Sequence, residues 1–211
     1  MTTAPAIEKT TAIVYLFLFA LVCFYIVQID AGVHSYTVLV GALSAFCAIR
    51  ALVEKYKKEY IHIIKLIWFV CISCIEYNFL SSATWRPVFF GGITNDNLFI
   101  RGEHVVLQSF YEIQLAYHLH SLIFAYADGA KIEMHVHHFV TVLLIVISNL
   151  TGLRPIGVYI FFLHDVPDIT TGFVKFFHNT KMVVPLLTVY LLHLCSWAYF
   201  RLYLLAQVPR F

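Results

Sequence analysis

Two short runs hold the side chains best suited to chemistry. The first is Glu133-Met134-His135-Val136-His137-His138, with Thr141 just beyond; the second is His164-Asp165-Val166-Pro167-Asp168, with Lys175 seven positions further on. A neutral imidazole is a good acyl acceptor. It attacks a thioester carbonyl, forms an acyl-imidazole and passes the acyl group to an amine or a carbanion. Burial lowers a histidine's pKa and keeps the ring nucleophilic. A neighbouring aspartate can accept its Nδ1–H, fix the tautomer and stabilise positive charge in transit. A second histidine can act as general base toward the incoming nucleophile.

That chemistry needs elements that aim the groups. On a helix, His137 and Thr141 are four apart and His138 and Thr141 three apart, so each pair shares a side. His137 and His138 themselves point about 100° apart, so only one enters a given cavity squarely. On the next segment, Asp165 and Asp168 are three apart, His164 and Asp168 four apart, and Gly172 and Lys175 continue that side. Between the runs lies "TGLRP" at 151–155. Gly152 can end one helix and Pro155 can occupy the first turn of the next. A hairpin this short is expected to make the two helices antiparallel neighbours and to aim imidazoles and carboxylates into one hollow.

The setting is membrane. The 211 residues are 61% hydrophobic and only 12% charged, with a mean hydropathy of +0.81. Those values lie outside the range of soluble globular chains. A spanning helix needs roughly 20 mostly apolar residues. Seven segments qualify, at about 12–29, 33–53, 60–82, 107–127, 134–151, 156–177 and 183–206. They are continuous apolar runs, not period-2 alternations, which excludes an outer-membrane barrel. The expected fold is an all-α, polytopic transmembrane helical bundle of about seven spans. Its parts are a polar tail (1–11), two N-terminal helices with a basic loop (12–59), a helical domain (60–206) and a short C-terminal tail (207–211).

The distribution of charge says more than the net +2. With seven spans, Lys9, Arg50, Lys55, Lys57, Lys58, Lys131 and Lys181 fall on one side, and Arg86, Arg101, Arg154 and Arg210 on the other. The first side is expected to be cytosolic, with the N-terminus there. The basic loop "EKYKKE" (54–59) reads as a topology signal. No long basic stretch suggests nucleic acid as a partner. All five cysteines (Cys23, Cys47, Cys71, Cys74, Cys195) sit inside expected spans, and Cys71-x-x-Cys74 reads as two small apolar residues on one helix face. The longest loop, 83–106, is broken by Pro87, Gly91 and Gly92 and carries Trp85, Phe89, Phe90 and Phe99, which suit a membrane interface.

Ionisable groups inside a bilayer cost several kcal/mol on some scales and survive where they face a bundle interior or a wet cavity. Here they recur. Lys65 and Glu76 lie in the third segment, Glu112, Gln114, His118 and His120 in the fourth, and His193 and Arg201 in the last. An interior polar chamber is the expectation. Gln114, His118, Thr141 and Lys175 are candidates for contacting substrate there, with His118 and His120 equally suited to packing. His135 is expected at the interface, facing away from His138 and Thr141. His193 is expected to be a satisfied packing residue, and Arg201 to snorkel to the membrane surface.

"EMHVHHFVT" followed by "HDVPD" resembles the signature of the TLC-domain family, and in particular the longevity-assurance motif of ceramide synthases. That pattern runs E-M-x-x-H-H-x-x-T, then H-D-x-x-D about 25 residues on, then a lysine. Glu133, Met134, His137, His138, Thr141, His164, Asp165, Asp168 and Lys175 match it, and "FYEIQLAYHLH" (110–120) resembles the aromatic helix upstream. The resemblance spans about 60–206. It implies a multi-pass protein of the endoplasmic-reticulum membrane. The implied reaction transfers a fatty acyl group from acyl-CoA to the amine of a sphingoid base, with no resident cofactor or metal. His137, His138, His164, Asp165 and Asp168 are then the catalytic set, with His137 the expected acyl carrier and His138 the alternative. Membrane lipids are further partners, and a homo- or hetero-oligomer fits the family. The chain departs from the pattern in three places. "ADGAK" replaces a basic-acidic stretch, Gly172 stands where a glutamate is common, and the family pattern continues through one more membrane helix beyond the position of Phe211.

Three other readings are open at this stage. Fatty-acid elongases also pair histidines, as H-x-x-H-H, but here the spacing is H-x-H-H and the His164-Asp165-Asp168 run has no place in their pattern. A di-metal hydroxylase or desaturase needs further histidine clusters that the chain lacks. A non-catalytic TLC protein, handling lipid or cargo, would share the fold without the reaction.

Overall fold

A computed structural model describes residues 34–56, 60–99 and 105–208. The expected first span at 12–29, with Cys23 in it, lies outside the described residues. All regular structure among those described is helical. In order, the elements are α1 (His34–Tyr56), α2 (Tyr60–Ser82), short 3-10 turns at Val88–Phe90 and Asp96–Phe99, α3 (Val105–Ala127), α4 (Ile132–Leu150), α5 (Arg154–Asn179) and α6 (Val183–Trp197). Without a break, α6 runs on as a π-helical segment, Ala198–Leu204, and a 3-10 turn, Leu205–Gln207.

Among the described residues, three stretches are long and apolar enough to cross a membrane: His62–Ser82, Ile132–Leu150 and Val183–Gln207. The expected count of about seven is not supported. In α1 the apolar part, Val38–Leu52, is shorter than a span. At 23 and 26 residues, α3 and α5 have the length, but glutamate, glutamine and histidine in the one, and aspartate, lysine and arginine in the other, dilute their apolar character. Val183–Gln207 is the clearest evidence of a lipid environment: none of its most apolar window is buried by protein. Val183, Val184, Leu187, Leu191 and Leu192 all stand more than half exposed. Hydrocarbon is the solvent in which such a surface is stable.

The chain divides into two compact units, and it passes between them more than once: residues up to Ala48 and Glu103–Gly152 form one, Ile49–Gly102 and Leu153–Phe211 the other. In the first unit α4 packs on α3. The helix α3 is buried on every side from Phe110 to Tyr117 except at Ile113, the signature of a central helix. A hydrogen bond of 2.8 Å between the Tyr111 and Ser148 hydroxyls joins the two helices. Phe46 of α1 lies edge-on to Tyr117, ring centroids 5.7 Å apart.

In the second unit α5 packs against α2 and α6. The described part of the next loop, 83–99, packs on this unit through its aromatics: Phe90 meets Phe162 at 5.2 Å and Phe89 meets Phe200 at 6.1 Å. Asn95 ties the loop together. Its Oδ1 accepts from the Val88 N–H at 3.0 Å, and its Nδ2 donates to the Gln207 carbonyl at 3.4 Å. The link from Leu150 to Arg154 has the expected chemistry, with Gly152 at φ 70° and Pro155 in the first turn of α5. The helices it joins nevertheless find their main packing partners in different units.

Candidate functional site

The motif residues divide between the units. Gln114, His118, His137, His138 and Thr141 belong to the first; His164, Asp165, Asp168 and Lys175 belong to the second.

In the first unit, α4 shows protein one stripe and leaves another open. Val142, Ile145, Val146 and Asn149 are buried, and His138 and His135 extend that stripe toward the helix start. His137 lies on the opposite stripe, exposed, in register with Val140, Leu144 and Ile147. So of the two adjacent histidines it is His138 that turns toward α3. Its ring lies 6.3 Å from that of His118, inclined by 49°. His118 is 9% exposed, Glu112 2% and Gln114 0%, so the imidazole pair stands beside a buried polar stretch of the central helix. Tyr117 lies edge-on to His118 at 5.3 Å, and His120 faces Phe46 and Phe124. Thr141 uses its hydroxyl within its own helix, donating to the His137 carbonyl at 2.8 Å.

His135 corrects an expectation. It does not face away from His138: it stands three residues before it on the same half-buried stripe, beside Tyr126 of α3 at 6.3 Å. Its Nε2–H donates to the Ala130 carbonyl at 3.2 Å.

In the second unit Pro167 governs the local geometry. Proline lacks an N–H and crowds the carbonyl one turn earlier, so the helical ladder is interrupted there. Side chains bond to the backbone and to one another just beyond it. Thr170 Oγ1 donates to the Pro167 carbonyl at 2.6 Å, and His193 Nδ1–H donates to the same Thr170 oxygen at 2.9 Å. His193 is therefore a bonded packing histidine, as expected. Nearly a full turn before Pro167, His164 folds back on its own helix, and its Nδ1–H donates to the Ile160 carbonyl at 2.7 Å. A carbonyl can only accept, so in the neutral ring the proton sits on Nδ1 and Nε2 is the acceptor.

Arg201 is the residue the sequence misassigned. It does not snorkel. The π-helical segment turns its guanidinium inward, where one nitrogen donates to Asp168 Oδ1 at 2.8 Å and to the His164 carbonyl at 2.8 Å. An arginine in an apolar span, with an aspartate on another helix that has no lysine or arginine at i±3 or i±4, was the available signal. Asp165 is buried at 4% exposure. Lys175 is exposed near the end of α5. It lies near enough to His62 of α2 to act on it electrostatically. At Gly172 the two helices meet closely: a β-carbon there would stand 2.8 Å from Leu66 Cδ1. Among the described residues, no three His, Cys, Asp or Glu side chains converge as a metal site would require.

Helices long and apolar enough to cross a bilayer, with imidazole and carboxylate groups buried between them, define a helical membrane protein. The family model of the TLC domain matches residues 58–208, well over half of the chain, and takes in both runs. The chain belongs to the TLC-domain family. No curated protein and no solved structure matches it.

Proposed function

We propose that this protein is an acyl-CoA-dependent N-acyltransferase of the ceramide synthase type, acting on a sphingoid base in the endoplasmic-reticulum membrane. The observation that supports it is the His138–His118 pair: two imidazoles on facing helices, within 6.3 Å, one of them nine-tenths buried. The complete set of matched motif residues adds to it.

His138 is the acyl carrier in this reading, in place of His137. A neutral ring nitrogen attacks the thioester carbonyl, the C–S bond breaks, and CoA leaves with the proton the ring gives up. The amine then attacks the acyl carbon, the amine's proton passes to His118 as general base, the C–N bond to the imidazole breaks, and His118 returns that proton to the departing His138 ring, which restores both neutral imidazoles. The products are an amide and free CoA, with no oxidant, metal or resident cofactor required. Gln114 and Thr141, in the same unit as the pair, serve substrate binding. An N-terminus in the cytosol completes the membrane reading. The basic loop at 54–59 then marks the side from which acyl-CoA enters.

Intact-mass spectrometry of the purified full chain with palmitoyl-CoA tests this. An acyl-sized adduct is expected on the wild type and on His137→Ala. It should be missing from His138→Ala and released as an amide by sphinganine. An adduct lost in His137→Ala and kept in His138→Ala overturns the assignment of the carrier. Release by malonyl-CoA instead of sphinganine makes the protein an elongase. Lipid binding with no adduct makes it a non-catalytic TLC protein.

A further inference from the structure

One end of the second unit gathers basic groups that no step of the acyl transfer uses. Neighbouring helices there run antiparallel. Leu66 of α2 meets Gly172 of α5, and His62, one turn earlier, lies within electrostatic reach of Lys175, one turn later. Likewise His193 of α6 bonds Thr170, and Arg201 further on bonds Asp168. The start of α2, the end of α5 and the start of α6 therefore share one end of the unit, with His62, Lys65, Lys175, His178 and Lys181 on them. His62 and Val183 each open a membrane-crossing stretch, so this is the level at which hydrocarbon gives way to lipid headgroups. The three helices carry carboxylates only at Glu76, Asp165 and Asp168, and the nearest, Asp168, stands seven residues before Lys175 and is engaged by Arg201. Lys175, His178 and Lys181 are exposed and form no salt bridge with any described residue.

Two further observations concern the same end. Between α5 and α6 runs a groove of about 440 Å³, lined by Val174, His178, Val183, Leu186, Leu187 and Tyr190. It is apolar but for the His178 ring and the Tyr190 hydroxyl, and Lys175 stands one turn from His178 on the same side of α5. The turn that follows closes with the Met182 N–H on the Phe177 carbonyl at 3.2 Å and the Lys181 N–H on the His178 carbonyl at 3.1 Å. In this kind of helix ending the left-handed residue is usually glycine. Here it is Lys181, at φ 57°, the sole non-glycine at positive φ among the described residues. The helix dipole favours a cation at that point, but by less than left-handed backbone costs a residue with a β-carbon. The ammonium is retained against local preference.

We propose that this end of the second unit binds an anionic glycerophospholipid of the surrounding bilayer, with an acyl chain in the α5–α6 groove and the phosphate held by Lys175, His178 and Lys181. Charge complementarity selects the occupant: a cationic mouth with no carboxylate of its own, at headgroup level, opening onto an apolar groove that faces lipid. The site goes beyond the N-acyltransferase reading and stands without it.

Native mass spectrometry of the purified full chain in detergent tests this, with phosphatidylglycerol and phosphatidylcholine of matched acyl chains as probes. A lysine close to an anionic headgroup is worth about fivefold in affinity, so two lysines should make phosphatidylglycerol bind roughly 25-fold tighter than phosphatidylcholine. Lys181→Gly should lose about fivefold of that preference while its thermal unfolding temperature rises, because glycine relieves the left-handed backbone. Lys175→Gln/Lys181→Gly should bind the two lipids alike. Leu186→Trp, which fills the groove and leaves every charge in place, should remove the binding of both. Equal binding of the two lipids by the wild type overturns the proposal, as does an unchanged preference in Lys181→Gly. Undiminished binding in Leu186→Trp shows attraction to charge alone and overturns the groove. A fall in both affinity and unfolding temperature in Lys181→Gly makes the lysine a fold residue and overturns its role at the phosphate. Competitive displacement of phosphatidylglycerol by palmitoyl-CoA, lost in Lys181→Gly, assigns the site to acyl-CoA instead, and a dimer that Leu186→Trp dissolves assigns the groove to a second copy of the chain.

Discussion

Gly172→Ala measures how closely α2 and α5 approach, and the structure fixes both the size and the sign of the effect. Two terms oppose each other. Alanine is the better helix former by about 1 kcal/mol, so on an isolated helix the change stabilises. Here the added carbon meets Leu66: Cδ1 at 2.8 Å, Cβ at 3.1 Å and Cγ at 3.4 Å. The Cδ1 contact can be relieved by rotating the side chain, but the Cβ contact moves only with the helix. Overpacking of this kind costs about 1–3 kcal/mol. The net expectation for Gly172→Ala is a loss of about 0–2 kcal/mol. In a Leu66→Ala background Cγ and Cδ1 are gone, most of the repulsion goes with them, and the same change should become neutral or stabilising by up to about 1 kcal/mol. Reversible unfolding of the full chain in mixed micelles, titrated with a denaturing detergent, gives the four values of the cycle. A stabilisation of equal size in both backgrounds would refute the close approach, and with it the reason a glycine stands at position 172. Gly172→Glu should lose folded yield outright.

Three further outcomes follow from particular contacts. Tyr111→Phe removes the bond to Ser148 that joins α3 to α4. A double cycle with Ser148→Ala should give a coupling of about 0.6–1.7 kcal/mol, the range of interhelical hydrogen bonds in membrane proteins, and a coupling of zero would show that the two hydroxyls do not meet. His193→Ala leaves Thr170 without the donor that completes its chain to the Pro167 carbonyl, and a loss of about 1 kcal/mol in the same unfolding assay is expected. Asn95→Ala removes the bonds that hold the 83–99 segment to Val88 and to the Gln207 carbonyl, so limited proteolysis near Gly91–Gly92 should accelerate, and an unchanged rate would count against that anchoring.

Much of the candidate site was legible because its signals are local. The helices, the Gly152–Pro155 link and the spacing of His137, His138, Asp165 and Asp168 depend on residues within one or two turns of each other, and a sequence displays that directly. The same holds for the bonded state of His193, since a polar ring in an apolar helix must find a partner. What failed was anything that depends on rotation or on distance along the chain. His137 and His138 differ by about 100° of helical phase, and only the packing of α4 on α3 decides that His138 turns inward. His135 was misplaced for the same reason. Arg201 is 33 residues from Asp168, and its reach depends on a π-helical turn that no local preference announced. The span count was overestimated because length was read more readily than the polarity that dilutes α3 and α5.

The sequence by itself determined the membrane character, the helical content and the chemical inventory, because hydropathy, periodicity and side-chain type are properties of each segment alone. Tertiary structure decided which imidazole faces its neighbour, which cation meets Asp168, and that helices joined by so short a link take their main partners in different units. Those outcomes are set by packing between segments far apart in the chain. The energy of such contacts does not exist until the helices have docked.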